Sequence, residues 1–249
     1  MATGLLVLLA LWWWVASSQP AYVLPGPGST WQALRSLATG GRLWSPLWVT
    51  VLRTGSGLLI AAMVSIAWGA LCASSRLVDA LSRSWLALLM AVPPIVIVVI
   101  GMLAFGPTAA VVVLVVALVT IPLLTTTTRD AIGQVDPELL EMARAFGKPP
   151  RWRWRHVVAP AVLPPVLSAV TVAAGQSLRV SVMAELLATA TGLGAQLQRA
   201  RSNLETADVF AFALVLACLT LLFELLILTP LRRRLSDAER QPQLKGIAT

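Results

Sequence analysis

Charged residues are scarce in this 249-residue chain, and their scarcity excludes an ordinary soluble domain. Only 12% of the residues are Asp, Glu, Lys or Arg, while 57% are hydrophobic. Soluble globular domains carry about 25% charged residues. Cysteine and histidine are also rare: both cysteines fall in apolar runs, so no disulfide framework is expected, and no metal-ligand spacing occurs. The composition is that of an integral membrane protein.

Phosphate-binding and nucleophile motifs are absent as well. The only Gly-Lys pair, Gly147-Lys148, is followed by Pro149, where a phosphate-binding loop needs serine or threonine, and it lacks the upstream glycine. No nucleophile elbow is present. We therefore expect a chain that is not an enzyme, holds no cofactor of its own and does not hydrolyse ATP.

Long apolar runs are what the chain has in abundance. A transmembrane helix needs about 20 residues to cross a hydrocarbon core of about 30 Å. Six candidate spans are expected at residues 3–17, 54–75, 85–105, 107–128, 157–178 and 209–231. The first could be a signal peptide, since Ala16 and Ser18 form a passable cleavage site, but no basic residue precedes it, so we expect a retained helix.

The distribution of basic residues predicts the topology. With six spans both termini lie on one side, and the positive-inside rule places them in the cytoplasm, together with Arg76, Arg83, the basic residues of 129–155 and those of the C-terminal tail. This explains the net charge of +8 without nucleic acid. We predict a transmembrane unit over residues 1–235 and a disordered cytoplasmic tail over 236–249.

One charged segment, residues 136–160, interrupts the apolar sequence (DPELLEMARAFGKPPRWRWRHVVAP). Asp136 can cap a helix that begins at Pro137, and Gly147 can end it. One apolar face recurs at helical spacing: Leu139, Met142, Ala143 and Phe146. This face could lie on the bilayer surface or dock in a groove of a cytoplasmic protein. The alternating Arg and Trp of 151–156 predict a membrane anchor.

Smaller features of the spans carry further expectations. Gly57 and Gly69 would let the second span approach a neighbouring helix closely. Arg53, near the outer end of that span, is expected to snorkel to the interface; the alternative is pairing with an acid in another helix. Residues 30–41 predict a short helix at the outer interface. Pro93 and Pro94 predict a kink in the third span, which either lines a pathway or is purely structural.

Ionisable residues near the last two spans are candidate pathway groups. Glu185, six residues after Arg179, must pair or face an aqueous cavity if it lies at membrane depth, and is a solvated acid if it does not. Glu224 lies inside the last span, where a carboxylate should face the bundle, and structural pairing is the expected role.

The segment EMARAFGKPPRWRWRHVVAP resembles the EAA motif of binding-protein-dependent ABC transporter permeases. Glu141, Ala143, Gly147, Val157 and Pro160 stand at the matching spacings. Met142 replaces the usual first alanine and Ala159 a usual leucine. The segments 24–27 (LPGP), 50–57 (TVLRTGSG) and 184–194 (AELLATATGLG) are similar to the nitrate, sulfonate and taurine branch, although Leu178-Arg179 stands where that branch often has a tryptophan.

The resemblance implies an all-helical permease subunit of an importer in the bacterial inner membrane. Two such subunits, expected to be identical, would form the pathway, two cytoplasmic ATPases would bind ATP and Mg²⁺, and an extracytoplasmic binding protein would deliver a sulfonate, a nitrate-like anion or a vitamin precursor. The helix between the fourth and fifth spans would be the coupling helix. Its expected coupling residues are Leu139, Glu141, Met142, Ala143, Phe146 and Gly147. The expected pathway residues are Pro93, Pro94, Arg179, Glu185 and Glu224.

Two other functions compete with this one. An ATP-independent carrier or channel would use Glu185 or Glu224 as a proton relay and would transport without an ATPase. A membrane scaffold would not transport at all.

Overall fold

The chain is built from helices of very different lengths. The computed structural model describes residues 2–20 and 22–222, and these residues contain no β-strand. The helices are α1 (Ala2–Ser17), α2 (Pro27–Thr39), α3 (Trp44–Ser74), α4 (Arg76–Ala91), α5 (Pro94–Phe105), α6 (Ala109–Gly133), α7 (Pro137–Ala145), α8 (Pro150–Ala188), α9 (Leu193–Ser202) and α10 (Thr206–Leu222). The predicted all-α class is confirmed.

The described residues account for only part of the predicted number of membrane spans. In the described residues only α3, α6 and α8 are long and apolar enough to cross a bilayer, and the bent pair α4 and α5 could make a fourth span. Helix α1 has 16 residues, fewer than a perpendicular span needs. The sixth predicted span, 209–231, is described only as far as Leu222, so the count of six is not established. The tail at 236–249 and Glu224 lie outside the described residues.

The predicted third span is broken into two helices. The axes of α4 and α5 differ in direction by 96°, so the proline pair does more than kink a continuous span. Proline cannot donate a backbone hydrogen bond and its ring clashes with the preceding turn, which ends a helix. Pro94 occupies the first position of α5, where a missing N–H group has no cost.

Close crossing of α3 and α6 forms the centre of the fold. A Cβ atom on Gly57 would lie 2.7 Å from Val116 Cγ1, and one on Gly69 would lie 2.7 Å from Thr128 Cβ. The predicted close approach at both glycines is confirmed. Polar side chains also join the long helices: Ser65 Oγ donates to the Ile121 carbonyl at 3.1 Å, and the hydroxyl groups of Thr120 and Ser177 lie 3.1 Å apart.

The bundle has two ends with different contents. One end, which we call the coupling end after the role that the resemblance implies for α7, holds α7, the last turn of α3, the start of α4 and the last turn of α6. The last three of these surround an open polar pocket. The far end holds α2, the start of α3, α9 and the start of α10, which share an apolar cluster around Leu37, Leu193 and Phe212. The last turn of α8 lies at the same end, where Glu185 contacts Thr50 and Gly194. The predicted short helix at residues 30–41 is confirmed as part of α2.

The crossing at Gly57 generates a matched test, because a Cβ atom placed on Gly55 of the same helix would meet no atom within 4 Å. We expect Gly57→Ala to lower the melting temperature of the purified protein, since the added methyl group overlaps Val116. Gly55→Ala should leave it unchanged or raise it, because alanine favours helix by about 1 kcal/mol. Equal melting temperatures for the two variants, measured by thermal unfolding in detergent, would contradict the close crossing.

Candidate functional site

Helix α7 has both of its ends fixed by local hydrogen bonds, as its sequence predicts. The Asp136 carboxylate accepts from the Glu138 N–H at 2.9 Å, and Pro137 fills the first helical position. At the other end the Lys148 N–H donates to the Ala143 carbonyl at 3.0 Å, and the Gly147 N–H donates to Arg144 at 2.8 Å. Gly147 has a φ of +67°, the left-handed conformation that favours glycine at this position.

The apolar residues of α7 divide into an inner and an outer group. Leu140 and Ala143 pack on the bundle, and Ala143 is buried. Leu139, Met142 and Phe146 remain exposed, Phe146 to 74% of its surface. Ala143 forms the floor of this surface, and the coupling role expected for these residues and for Glu141 and Gly147 stays a prediction.

A groove of about 480 Å³ runs between the exposed side of α7 and the first turns of α8. Its α7 wall is Leu139, Met142 and Phe146. The opposite wall includes the Trp152 ring, on which His156 stacks with ring centroids 4.5 Å apart and above which the Lys148 ammonium lies at 5.2 Å. We call these lining residues the coupling groove.

The sequence argument placed the 151–156 segment against the membrane and did not assign six members of the coupling groove to it: Lys148, Trp152, His156, Val157, Pro160 and Ala161. Trp152 and His156 are four residues apart on α8, the spacing that brings side chains to one helix face, and Lys148 stands four residues earlier, just before α8 begins. This four-residue spacing is the sequence signal that could have assigned these residues to the groove. Trp154, by contrast, is not part of the groove and lies on a separate surface with Leu71 and Ile132.

A chain of four alternating charges joins α4 to α6 at the coupling end. Asp79 accepts from Arg83 at 2.7 Å and from Arg129 at 3.2 Å, and Arg129 also pairs with Asp130 at 2.7 Å. Arg129 and Asp130 lie in the last turn and a half of α6, shortly before α7 begins. The first turn of α4 is thus tied to the helix that leads into the coupling groove.

At the far end, one buried carboxylate accepts hydrogen bonds from several segments of the chain. Glu185, in the last turn of α8, has no exposed surface. It accepts from Thr50 Oγ1 at 2.7 Å, from Arg53 Nη1 at 2.9 Å and from the Gly194 N–H at 3.2 Å. We call this arrangement the carboxylate clasp.

The loop between α8 and α9 completes the clasp. Arg53 donates to the carbonyl and to the hydroxyl group of Thr191, each at 2.7 Å, and the Leu193 N–H donates to Thr50 Oγ1 at 2.9 Å. Gly192 has a φ of +106°, and a Cβ atom there would overlap the Glu185 carboxylate. The two segments 50–57 and 184–194 therefore contact each other directly.

A family comparison agrees with this architecture. Residues 65–232, more than half of the chain, match the model of the family described as binding-protein-dependent transport system inner membrane component. The chain belongs to this family. It is accordingly a membrane-embedded permease subunit of the ABC importer type, as the EAA-like segment predicted, and its family is not a catalytic one.

Curated relatives cover nearly the whole permease. It is 32% identical over 224 residues to the riboflavin transport system permease RibX of Chloroflexus aurantiacus, covering 87% of this chain and 82% of the relative. It is 28% identical over 240 residues to the taurine permease TauC of Escherichia coli, with coverages of 93% and 86%. A probable ABC transporter permease of Brucella abortus is 25% identical over 228 residues, with coverages of 92% and 91%.

Solved transporters share the permease fold. An inward-facing crystal form of the MetNI methionine ABC transporter superposes with a TM-score of 0.63 at 18% identity, covering 76% of this chain and 94% of that one. An amino acid ABC transporter crystallised with histidines gives a TM-score of 0.62 at 22% identity, with coverages of 76% and 92%. At these identities the likeness concerns the fold alone.

The clasp corrects one expectation for the permease. Arg53 does not snorkel to the interface: its guanidinium forms an ion pair with Glu185, the alternative considered for it. A paired charge is favoured here because burying the Glu185 carboxylate without a partner would be costly. The requirement that Glu185 pair or face a cavity is met by pairing, and its role in the pathway stays a prediction.

The other predicted pathway residues lie apart from the clasp. Pro93 and Pro94 occupy the break between α4 and α5. Arg179 lies on an exposed face of α8, where it lines a groove of about 570 Å³ with Thr220 and Leu221 of α10. Their contact with substrate stays a prediction, as does that of Glu224.

The clasp predicts a large difference between two arginine variants. Arg53→Ala should destabilise the permease by about 3–5 kcal/mol, because it leaves the buried Glu185 charge without a partner. Arg83→Ala is the control: its side chain is 67% exposed in its pair with Asp79, so its loss should cost about 0–1 kcal/mol. Thermal unfolding in detergent measures both, and similar shifts would argue against the clasp.

Proposed function

We propose that this permease takes up a small water-soluble solute by moving with a separate ATPase that binds in the coupling groove. The carrying observation is the exposed apolar wall of Leu139, Met142 and Phe146 on a helix of only nine residues. So short a helix gains little stability on its own. An apolar helix face offered beside an aromatic ring is typical of helix-in-groove recognition by a partner protein.

The connections of α7 support a mechanical role. Only residues 134–136 separate α7 from α6, and Pro149 and Pro150 introduce α8 at its other side. Proline fixes φ and limits the freedom of the link. A displacement of α7 by the ATPase would thus pass into two long helices, biasing them between inward and outward openings.

For the rest of the complex we propose that ATP and Mg²⁺ bind to the ATPase and that the coupling end and both termini lie in the cytoplasm. A second, identical permease subunit would complete the pathway. A soluble binding protein would deliver the substrate to the far end.

For the substrate we propose a sulfonate, a nitrate-like anion or a vitamin precursor. Relatives that align over most of this chain are named for transport of aliphatic sulfonates, taurine and riboflavin. Arg179 on the exposed face of α8 is the cation that would attract an anionic substrate. The ligand that remains bound to the purified binding protein, identified by mass spectrometry, decides between these classes.

An ATP-independent carrier is the weaker candidate. Of its two candidate relay residues, Glu185 is enclosed by hydrogen-bond donors and has no exposed surface, and Glu224 lies outside the described residues. A proton relay requires that the ionisable group reach water on each side of the membrane in turn. Membership of the importer family also disfavours it.

Loss of the exposed aromatic ring tests the coupling groove. We expect Phe146→Ala to reduce substrate-stimulated ATP hydrolysis by the reconstituted complex about tenfold, since fully burying a phenylalanine side chain is worth about 1.5–3 kcal/mol. Leu77→Ala is the matched control, because Leu77 is 70% exposed at the same end of the bundle but lies on α4. Equal hydrolysis by both variants would contradict docking in the groove.

Two charge substitutions extend this test to the rest of the segment. Gly147→Asp strains the left-handed turn that ends α7, and Glu141→Lys reverses an exposed charge on that helix. We expect both to abolish stimulated ATP hydrolysis while the permease still inserts into membranes. Unchanged stimulation in both variants would count against the proposal.

A further inference from the structure

Leu204, in the turn between α9 and α10, has a backbone conformation that leucine rarely adopts. Its φ of +61° is the only positive φ of a non-glycine residue in the described part of the chain. The Glu205 N–H donates to the Ala200 carbonyl at 2.9 Å and the Leu204 N–H to Arg201 at 3.2 Å. These bonds place Leu204 where a helix normally ends on glycine or asparagine, because a Cβ atom is disfavoured there.

Burial does not account for leucine at this position. The Leu204 side chain is 83% exposed, so it adds almost nothing to the apolar core that would offset the backbone strain. Residues with a strained backbone cluster at active sites, ligand clamps and switch regions. The geometry therefore points to an apolar group held out for another molecule.

A second exposed segment lies beside Leu204. The hydroxyl group of Thr206 donates to the Tyr22 carbonyl at 2.7 Å, which ties residues 22–23 to the start of α10. Tyr22 is 75% exposed and Val23 is also exposed. We call Tyr22, Val23 and Leu204 the far-end tip.

The surroundings of the tip are those of a surface in water. Ser202, Asn203 and Glu205, which flank Leu204 in the turn, are exposed polar residues. The continuous apolar sequence of α10 begins only at Val209. An apolar patch with a polar rim marks a protein or a membrane interaction site, and the polar turn around Leu204 favours a protein here.

The charge of the far end indicates what kind of protein fits. The segments 18–48 and 189–208 carry more cations than anions: Arg35, Arg42, Arg199 and Arg201 against Glu205 and Asp208. All four arginines are exposed. Complementary potentials favour a partner with an acidic surface.

We propose that the far-end tip is a docking point for the soluble substrate-binding protein, which receives Leu204 in an apolar pocket with an acidic rim. This inference rests on the proposed function, because the coupling end is then cytoplasmic and the far end faces outside. In the complex Leu204 would be buried, and this burial would offset the backbone strain that nothing offsets in the isolated chain.

Leu204→Gly separates docking from folding, because glycine suits the turn better than leucine does. We expect the variant to melt at the same or a higher temperature than the unchanged permease. Its complex with the ATPase should nevertheless need about tenfold more substrate-loaded binding protein for half-maximal stimulation of ATP hydrolysis. The control is Leu103→Ala, because Leu103 is equally exposed, at 83%, on α5. Alanine replaces glycine in this control because glycine within a helix would itself destabilise α5.

The outcomes distinguish the docking surface from the function on which it rests. If the unchanged complex is stimulated and Leu204→Gly shows the same half-maximal concentration, the tip is not the docking point. If the unchanged complex is not stimulated at all, the proposed function fails and the docking surface fails with it. A shift in Leu204→Gly but not in Leu103→Ala supports the proposal.

Photocross-linking gives an independent readout. A benzoylphenylalanine at position 204 of the assembled complex in lipid nanodiscs should cross-link to the added binding protein. Cross-links to phospholipid alone would overturn the proposal, because the tip would then lie in the bilayer.

Discussion

The buried carboxylate of Glu185 is the constraint on which the far end of the permease depends. An ionised group without exposed surface is stable only when charge and hydrogen bonds replace water. Arg53, Thr50 and the Gly194 N–H supply these from α3 and the start of α9. The start of one long helix, the end of another and the connecting loop are therefore held together, and Gly192 is required because no side chain fits beside the carboxylate.

The close crossing of α3 and α6 connects the far end to the rest of the bundle. Glycines at 57 and 69 remove the side chains that would keep the two helices apart, so dispersion contacts and short polar links join them over several turns. The far end and the coupling end are thus connected by long helices that pack closely. In the proposed function, motion applied at α7 would then be transmitted by whole helices. The broken pair α4 and α5 is attached at the coupling end through Asp79 and Arg129.

Local patterns were sufficient to predict the parts of the permease that local forces determine. The bounds of α7 followed from Asp136, Pro137 and Gly147, because caps act within a few residues. The close approach at Gly57 and Gly69 followed from residue size alone. The resemblance of the EAA-like segment favoured a protein groove over a membrane surface, a choice that its amphipathic pattern left open, and docking in such a groove stays a prediction.

Contacts between distant segments were not predictable in the same way. Arg53 and Glu185 are far apart in the chain, and hydropathy contains no information about which helices are neighbours, so snorkelling was the expected outcome. Composition also cannot distinguish a continuous apolar span from two helices that meet at 96°. The Trp152 wall of the coupling groove was missed because alternating arginine and tryptophan also suits a membrane interface.

Hydrogen–deuterium exchange of the permease with and without its ATPase tests the central claim most directly. If the ATPase seats in the coupling groove, its addition should slow exchange of the backbone amides in α7 and in residues 148–156, while amides of α9 at the far end keep their rates. Unchanged exchange in α7 within a complex that still hydrolyses ATP would contradict the account, because the coupling groove would then remain open to water.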